Sequence, residues 1–201
     1  NSFKHEEKML SLSNTYSDED LNDFDKRVKK IIDKNEVEYV CELKYDGVAL
    51  SIQYENNIFK RALTRGDGNY GDDISNNVLT IKTLPIKLKN NEISNLEVRG
   101  EAFISKSNFK LLNQEKKLKG EQLFSNPRNT ASGSLKLQDS SEVSKRRINC
   151  YIYSLKTNSS IISTHEKCLE YLKSIGFNVP ETYRKCKDIE EVKNYIKYWE
   201  L

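Results

Sequence analysis

Cys41-Glu42-Leu43-Lys44-Tyr45-Asp46-Gly47 lies between two strand-like apolar runs, and its reading decides the fold. In an extended chain, side chains alternate faces, so Glu42, Lys44 and Asp46 would share one side. Cys41, Leu43 and Tyr45 would take the other. Asp46-Gly47 is a hairpin signal, which predicts one hairpin over 38–54. The bland reading is a half-exposed strand entering a tight turn. The sharper one is a nucleophilic lysine. An amine at the ordinary lysine pKa of about 10.4 is protonated at neutral pH and does not attack. Partial burial, neighbouring cations or a metal-bound polyphosphate would be needed to favour its free form.

The rest of the chain supplies mixed elements around this stretch. Ser17 precedes a helical pattern through Leu21, Phe24, Val28, Ile31 and Ile32, with Ser17 and Asp20 spaced for a capping-box variant. Asn56-Asn57 marks a turn, and 58–64 reads as a strand. Three glycines within Thr64-Arg65-Gly66-Asp67-Gly68-Asn69-Tyr70-Gly71 allow close backbone approach to a ligand, and Arg65 can fork onto phosphate or ribose oxygens. A glycine-rich turn with a solvated arginine has the same pattern. A short helix through Ile74, Val78 and Ile81 is expected to end before Pro85.

Residues 96–104 alternate again, with Glu97, Arg99 and Glu101 on one face. Gly100 inside this strand predicts a bulge or a close backbone approach. Ser105 caps a helix running to about Leu118. Asn126-Pro127-Arg128-Asn129, followed by small residues to Leu135, reads as a loop opening into a tightly packed helix, whose first N–H groups could hold an anion. Lys145-Arg146-Arg147 is either a solvated basic corner or a phosphate-backbone contact. A strand over 148–155 carries Tyr151 and Tyr153, and helices over 165–175 and 189–199 follow.

Composition narrows the class. A chain of 201 residues supports one good core, or one with a small appendage. The net charge of +3 is no polycation signature, so a nucleic-acid partner would have to meet a local patch. Four scattered cysteines and two histidines, His5 and His165, argue against a zinc site or a disulfide framework. No apolar run suggests a signal peptide or a membrane span, so a soluble, intracellular protein is expected.

Taken together, the segments resemble the adenylation domain of the NAD+-dependent DNA ligases. The Lys44-x-Asp46-Gly47 core is shared with RNA ligases and capping enzymes. Met9-Leu10-Ser11-Leu12, Thr64 to Gly68, Val98-Arg99-Gly100-Glu101, and Asn126-Pro127-Arg128-Asn129 with Gly133-Ser134-Leu135 are more specific and occur in the family's order. The resemblance implies an α+β nucleotidyltransferase fold (ATP-grasp-like), with a largely antiparallel sheet and packed helices, truncated at its carboxy-terminal end. It implies that Lys44 attacks the α-phosphorus of NAD+ to form lysyl-AMP. AMP then passes to the 5′-phosphate of nicked double-stranded DNA, and the 3′-hydroxyl displaces it, with Mg2+ neutralising phosphate charge. Such activity serves replication and repair.

Residue by residue, the resemblance implies that Asp46 supports Lys44 in catalysis. Ser11, Leu12, Glu42 and Tyr153 would border the adenine, while Arg65 and Glu101 would hold the ribose. Arg128 would serve nucleotide and DNA phosphates, with Lys136, Lys145, Arg146 and Arg147 as further phosphate contacts; no metal ligand is assigned. Residues 1–16 would be a lead-in segment bordering the nucleotide pocket, and 17–201 an incomplete adenylation domain. The nicotinamide-recognition domain, the oligonucleotide-binding fold, the zinc module, the helix-hairpin-helix repeats and the BRCT region would lie outside this chain. Lys8 stands where the family has proline, Thr130-Ala131-Ser132 where it favours alanines, and Lys136 where it has arginine. A monomer in the bacterial cytoplasm, or at a viral replication site in a host cell, is expected. The alternatives are an RNA ligase or capping-type transferase using ATP or GTP, and a non-catalytic nucleotide- or nick-binding module.

Overall fold

A computed structural model describes residues 1–89, 92–157, 159 and 162–200. In chain order the elements are β1 (Ser2–Lys4), α1 (Asp18–Ile32), β2 (Tyr39–Cys41), β3 (Val48–Glu55), β4 (Ile58–Thr64), β5 (Tyr70–Asp72), α2 (Ser75–Val78), β6 (Leu96–Phe103), α3 (Lys106–Leu118), α4 (Pro127–Leu135), α5 (Ser140–Ser144), β7 (Asn149–Lys156), α6 (His165–Ser174), β8 (Arg184–Cys186) and α7 (Ile189–Trp199). This is a mixed α+β chain whose strand pairs are all antiparallel among the described residues. It divides into two compact units: Asn1–Met9 with Tyr45–Pro180, and Leu10–Lys44 with Glu181–Leu201.

The larger unit is built on a four-stranded sheet in the order β4-β3-β6-β7. Period-two alternation sorts its faces. Leu50, Ile52, Val98, Ala102, Cys150 and Ile152 are fully buried on one side, and α6 lies against β7. The opposite side carries cross-strand rows Ala49–Glu101–Tyr151 and Gln53–Glu97–Lys156. The β3–β4 turn is formed by Asn56 and Asn57, both at positive φ (51° and 64°), the conformation that asparagine tolerates best among residues with a β-carbon. At Gly100 both expected features occur together. The β6–β7 register shifts between Arg99 and Gly100, and a β-carbon there would sit 2.5 Å from both Ile152 Cδ1 and the Tyr151 carbonyl oxygen.

The expected hairpin over 38–54 is not formed. β2 pairs with β8, whereas β3 is bordered by β4 and β6, so both of its edges are occupied. Residues 42–46 belong to no strand, and the period-two argument for Glu42, Lys44 and Asp46 therefore lapses. Gly47 is required by close approach rather than by a hairpin turn: a β-carbon would lie 2.2 Å from the Ala102 carbonyl oxygen.

The smaller unit comprises α1, β2, β8 and α7. Its core is Cys186, Val192 and Tyr195, joined by the half-buried Tyr39, Cys41, Leu43, Ile189 and Ile196. Ser17 caps α1 as expected, accepting from the Asp20 N–H, while Asp20 accepts from the Tyr16 N–H. The helix buries a different residue from its apolar stripe. Ile31 is 81% exposed, whereas Asp25 is 6% exposed. Asp25 accepts a hydrogen bond from the Tyr39 hydroxyl (2.6 Å) and pairs with Lys29 (2.8 Å), which is what allows a carboxylate to leave water.

Burial pushes the Asp25 carboxyl pKa up, but the bonds from Lys29 and Tyr39 outweigh it and hold the pKa below the ordinary 3.8. A carboxyl depressed on folding adds stability above its unfolded pKa, and that contribution is lost as pH falls through the folded pKa. Asp25→Ala should therefore lower stability near neutral pH by about 1.5–3 kcal/mol, the range for hydrogen bonds to a charged group. It should also flatten the acid limb. Denaturant midpoints from neutral pH to about pH 3 measure both; parallel curves for the two proteins would refute the linkage.

Candidate functional site

The segment carrying Lys44 is anchored on each side by a packed residue. Leu43 joins the core of the smaller unit. Tyr45 belongs to the larger unit, where its ring lies 4.6 Å from that of Tyr151 and 5.8 Å from that of Phe103, which itself stacks on Tyr151 at 4.9 Å. Aromatic contacts of this kind hold a backbone in place with little rotamer freedom. Lys44 between these anchors is exposed, as are Ser11 and Leu12; Glu42 is half-buried. These four candidate residues all belong to the smaller unit.

In the larger unit, three segments far apart in sequence converge at the start of β3. The Gly47 N–H donates to Glu101 Oε1 (3.1 Å). The Arg128 Nη1 donates to Asp46 Oδ1 (2.7 Å). Arg128 is presented by α4, whose start is set by the Asn126 side chain accepting from the Asn129 N–H (2.7 Å) and by Pro127 in the first turn. Thr130, Ala131, Ser134 and Leu135 are buried, so the small-residue run is a packing surface, as its composition suggested. The Asp46–Arg128 pair is largely exposed, at 72% and 57%. Surface pairs of this kind contribute little to stability, which leaves both groups able to exchange partners.

Tyr153 sits at the β6–β7 irregularity: Arg99 is opposite Ser154 and Gly100 opposite Ile152, with Tyr153 the extra residue between them. A bulge of this kind re-aims a side chain, so Tyr153 is set apart from the regular alternation that places Tyr151 opposite Glu101. Arg65 opens the turn after β4 and is exposed. Its carbonyl accepts from the Gly68 N–H (3.0 Å), and Asp67 accepts from the Asn69 and Tyr70 N–H groups, which hold its carboxyl below the usual range.

The basic residues are engaged one by one. Lys136 lies 3.4 Å from Asp72. Lys145 pairs with Glu142, whose hydrogen bond raises the lysine pKa. Arg146 lies over the Phe124 ring at 4.9 Å, and Arg147, at positive φ, pairs with Glu115 (2.8 Å). Arg99, read from sequence as part of a charged face and of a family segment but given no role, donates to the Glu7 and Lys8 carbonyls (2.7 and 3.2 Å) and so ties β6 to the amino-terminal segment. Nothing in the period-two pattern distinguishes such a strap from a solvated charge.

The family described as the NAD-dependent DNA ligase adenylation domain matches this chain over residues 1–201. The chain belongs to that family. Its relatives agree. The DNA ligase of Cytophaga hutchinsonii is 47% identical over 199 residues, covering 98% of this chain and 30% of the relative. That of Christiangramia forsetii is 46% identical over 196 residues, 98% of this chain and 29% of the relative. That of Clostridioides difficile is 42% identical over 200 residues, 99% of this chain and 29% of the relative. As an adenylation-domain chain it thus spans about 30% of the length of the curated relatives it matches. No helix among the described residues is long and apolar enough to cross a membrane.

Proposed function

We propose that this chain is the nucleotide-transfer core of an NAD+-dependent DNA ligase, with Lys44 as its nucleophile. The Lys44 amine attacks the α-phosphorus of NAD+, a nitrogen–phosphorus bond forms and the pyrophosphate linkage breaks. Nicotinamide mononucleotide leaves, and the amine proton is lost to solvent. Lysyl-AMP then donates its adenylyl group to the 5′-phosphate of a nick, and the 3′-hydroxyl displaces AMP. Dividing the reaction in this way converts a poor leaving group into a good one before the backbone is closed.

The observation that supports this reading best is the convergence of three family segments on the start of β3: Asp46 with Arg128, and Gly47 with Glu101. Arg128 is proposed to serve the nucleotide and DNA phosphates, its fork suiting paired oxygens. Ser11, Leu12, Glu42 and Tyr153 are proposed to border the adenine, Arg65 and Glu101 to hold the ribose, and Lys136, Lys145, Arg146 and Arg147 to meet the DNA backbone. Among the described residues, no three His, Cys, Asp or Glu side chains gather into a metal-binding group. Mg2+ is proposed to accompany the NAD+ phosphates, the usual mode for an ion that keeps several waters, and no step is routed through a protein-held ion. The nucleotidyltransferase fold, the division into 1–16 and 17–201, a monomeric state and a cytoplasmic role in replication and repair belong to the same proposal.

Substrate choice tests it. The full-length protein, incubated with Mg2+ and either NAD+ or ATP, should gain one adenylyl group from NAD+ and none from ATP, as read by intact mass. Labelling by ATP alone would move the assignment to the RNA-ligase or capping class. No adenylate from either nucleotide, with nick binding retained, would indicate a binding module.

A further inference from the structure

The amino-terminal residues do more than lead into the chain. β1 pairs with β5 across the far side of the Arg65 turn. The His5 N–H donates to the Asn69 carbonyl (2.8 Å) and the Met9 N–H to the Gly68 carbonyl (2.9 Å). Between them, the His5 ring is buried, at 4% exposure, and its Nε2 lies 3.1 Å from the Arg65 carbonyl oxygen. A carbonyl only accepts, so Nε2 carries the hydrogen in this bond. The ring's Nδ1 is buried and has no hydrogen-bond partner among the described residues.

An unpartnered buried nitrogen is a standing cost, and a leucine of similar size would avoid it. What the imidazole provides and a leucine does not is the bond to the Arg65 carbonyl. That oxygen also accepts the Gly68 N–H that closes the turn. The turn is built from residues with little rigidity of their own: Gly66 and Gly68 both stand at positive φ (56° and 93°). The ring also lies close to the end of the turn: a β-carbon on Gly71 would meet the Thr64 carbonyl oxygen at 1.9 Å and His5 Nε2 at 2.9 Å. The other end of the segment is fixed by Arg99 on the Glu7 and Lys8 carbonyls and by the Glu7–Lys156 ion pair (2.9 Å).

We propose that His5 is a positioning residue for Arg65: its Nε2–H fixes the Arg65 carbonyl and thereby sets the turn that presents the guanidinium. This deepens the function proposed above, because it rests on Arg65 gripping the ribose of NAD+. The segment 1–9 is then a brace between the Arg65 turn and the strand that carries Glu101.

The test compares His5→Leu and His5→Gln with the wild type in the full-length protein. Glutamine carries its amide nitrogen near the position of Nε2 and can make the same bond. In His5→Leu, hydrogen exchange of a peptide spanning 64–72 should be about tenfold faster, with β3 and β6 unchanged. The KM for NAD+ in the adenylation step should rise about tenfold with kcat within about twofold, the pattern of a lost binding contact. His5→Gln should restore both. Wild-type exchange in His5→Leu, an unchanged KM, or a glutamine variant as impaired as the leucine one would overturn the positioning role. A wild-type protein that takes no adenylyl group from NAD+, while the exchange results come out as expected, would refute the ligase reading and leave the brace intact.

Discussion

Replacing Lys44 by alanine in the full-length protein is expected to abolish adenylation: no adenylyl mass should appear after any incubation with NAD+ and Mg2+. The reason is chemical rather than structural. Lys44 is exposed, so its removal leaves no cavity, and the anchors Leu43 and Tyr45 keep their packing. The unfolding transition should therefore not move, which separates loss of chemistry from loss of fold. Lys44→Arg sharpens the result. It preserves a positive charge, but a guanidinium does not give up its proton in proteins and cannot attack phosphorus. If Lys44 merely attracted phosphate, the arginine protein would be labelled. If it is the nucleophile, arginine is as inactive as alanine. Sealing of a nick that already carries AMP on its 5′-phosphate should persist in both variants, because the lysine has completed its part by then. An adenylate recovered from the arginine variant would remove Lys44 from its proposed role.

The regular elements were legible because their signals are local. Ser17 and Ser105 cap the helices whose starts they mark, α4 begins at the proline of the small-residue run, and Asn56-Asn57 turns where two strands meet. Gly100 was legible as well, since a glycine inside a strand marks a bulge or a close backbone approach. The failures have a common cause. Asp46-Gly47 carries the local chemistry of a hairpin, but strand pairing is decided by which edges are available, and both edges of β3 are taken by β4 and β6. The α1 stripe misled for a related reason. Periodicity weighs Ile31 above Asp25, while burial follows the partners supplied by Tyr39 and Lys29 from other positions. Among the candidate residues, the motif order identified the segments, but not the unit to which each belongs. Arg99 and His5 act on backbone carbonyls, and a carbonyl leaves no trace in sequence.

Gly100→Ala is expected to destabilise the protein by about 3 kcal/mol, the upper part of the range for forcing an extra carbon into a packed site. The new β-carbon would meet Ile152 Cδ1 and the Tyr151 carbonyl oxygen at 2.5 Å each, and Cys150 Sγ at 3.1 Å. The Ile152 methyl can rotate only within a fully buried core, and the carbonyl can retreat only by shifting β7 against β6. The shift would fall on the irregularity that sets Tyr153 apart and beside Glu101, so the cost should reach the proposed site as well as the fold. A lower denaturant midpoint and a raised KM for NAD+ should therefore appear together. Gly133→Ala is the matched control. It lies in α4, where among the described residues nothing beyond its chain neighbours and the helix's own backbone comes within 4 Å of the added carbon, and alanine is the better helix former, so that change should be neutral or stabilising by up to about 1 kcal/mol. Equal losses at the two glycines would mean that flexibility, not the space between β6 and β7, is what Gly100 provides; a loss confined to Gly100 assigns the effect to the close approach of the two strands.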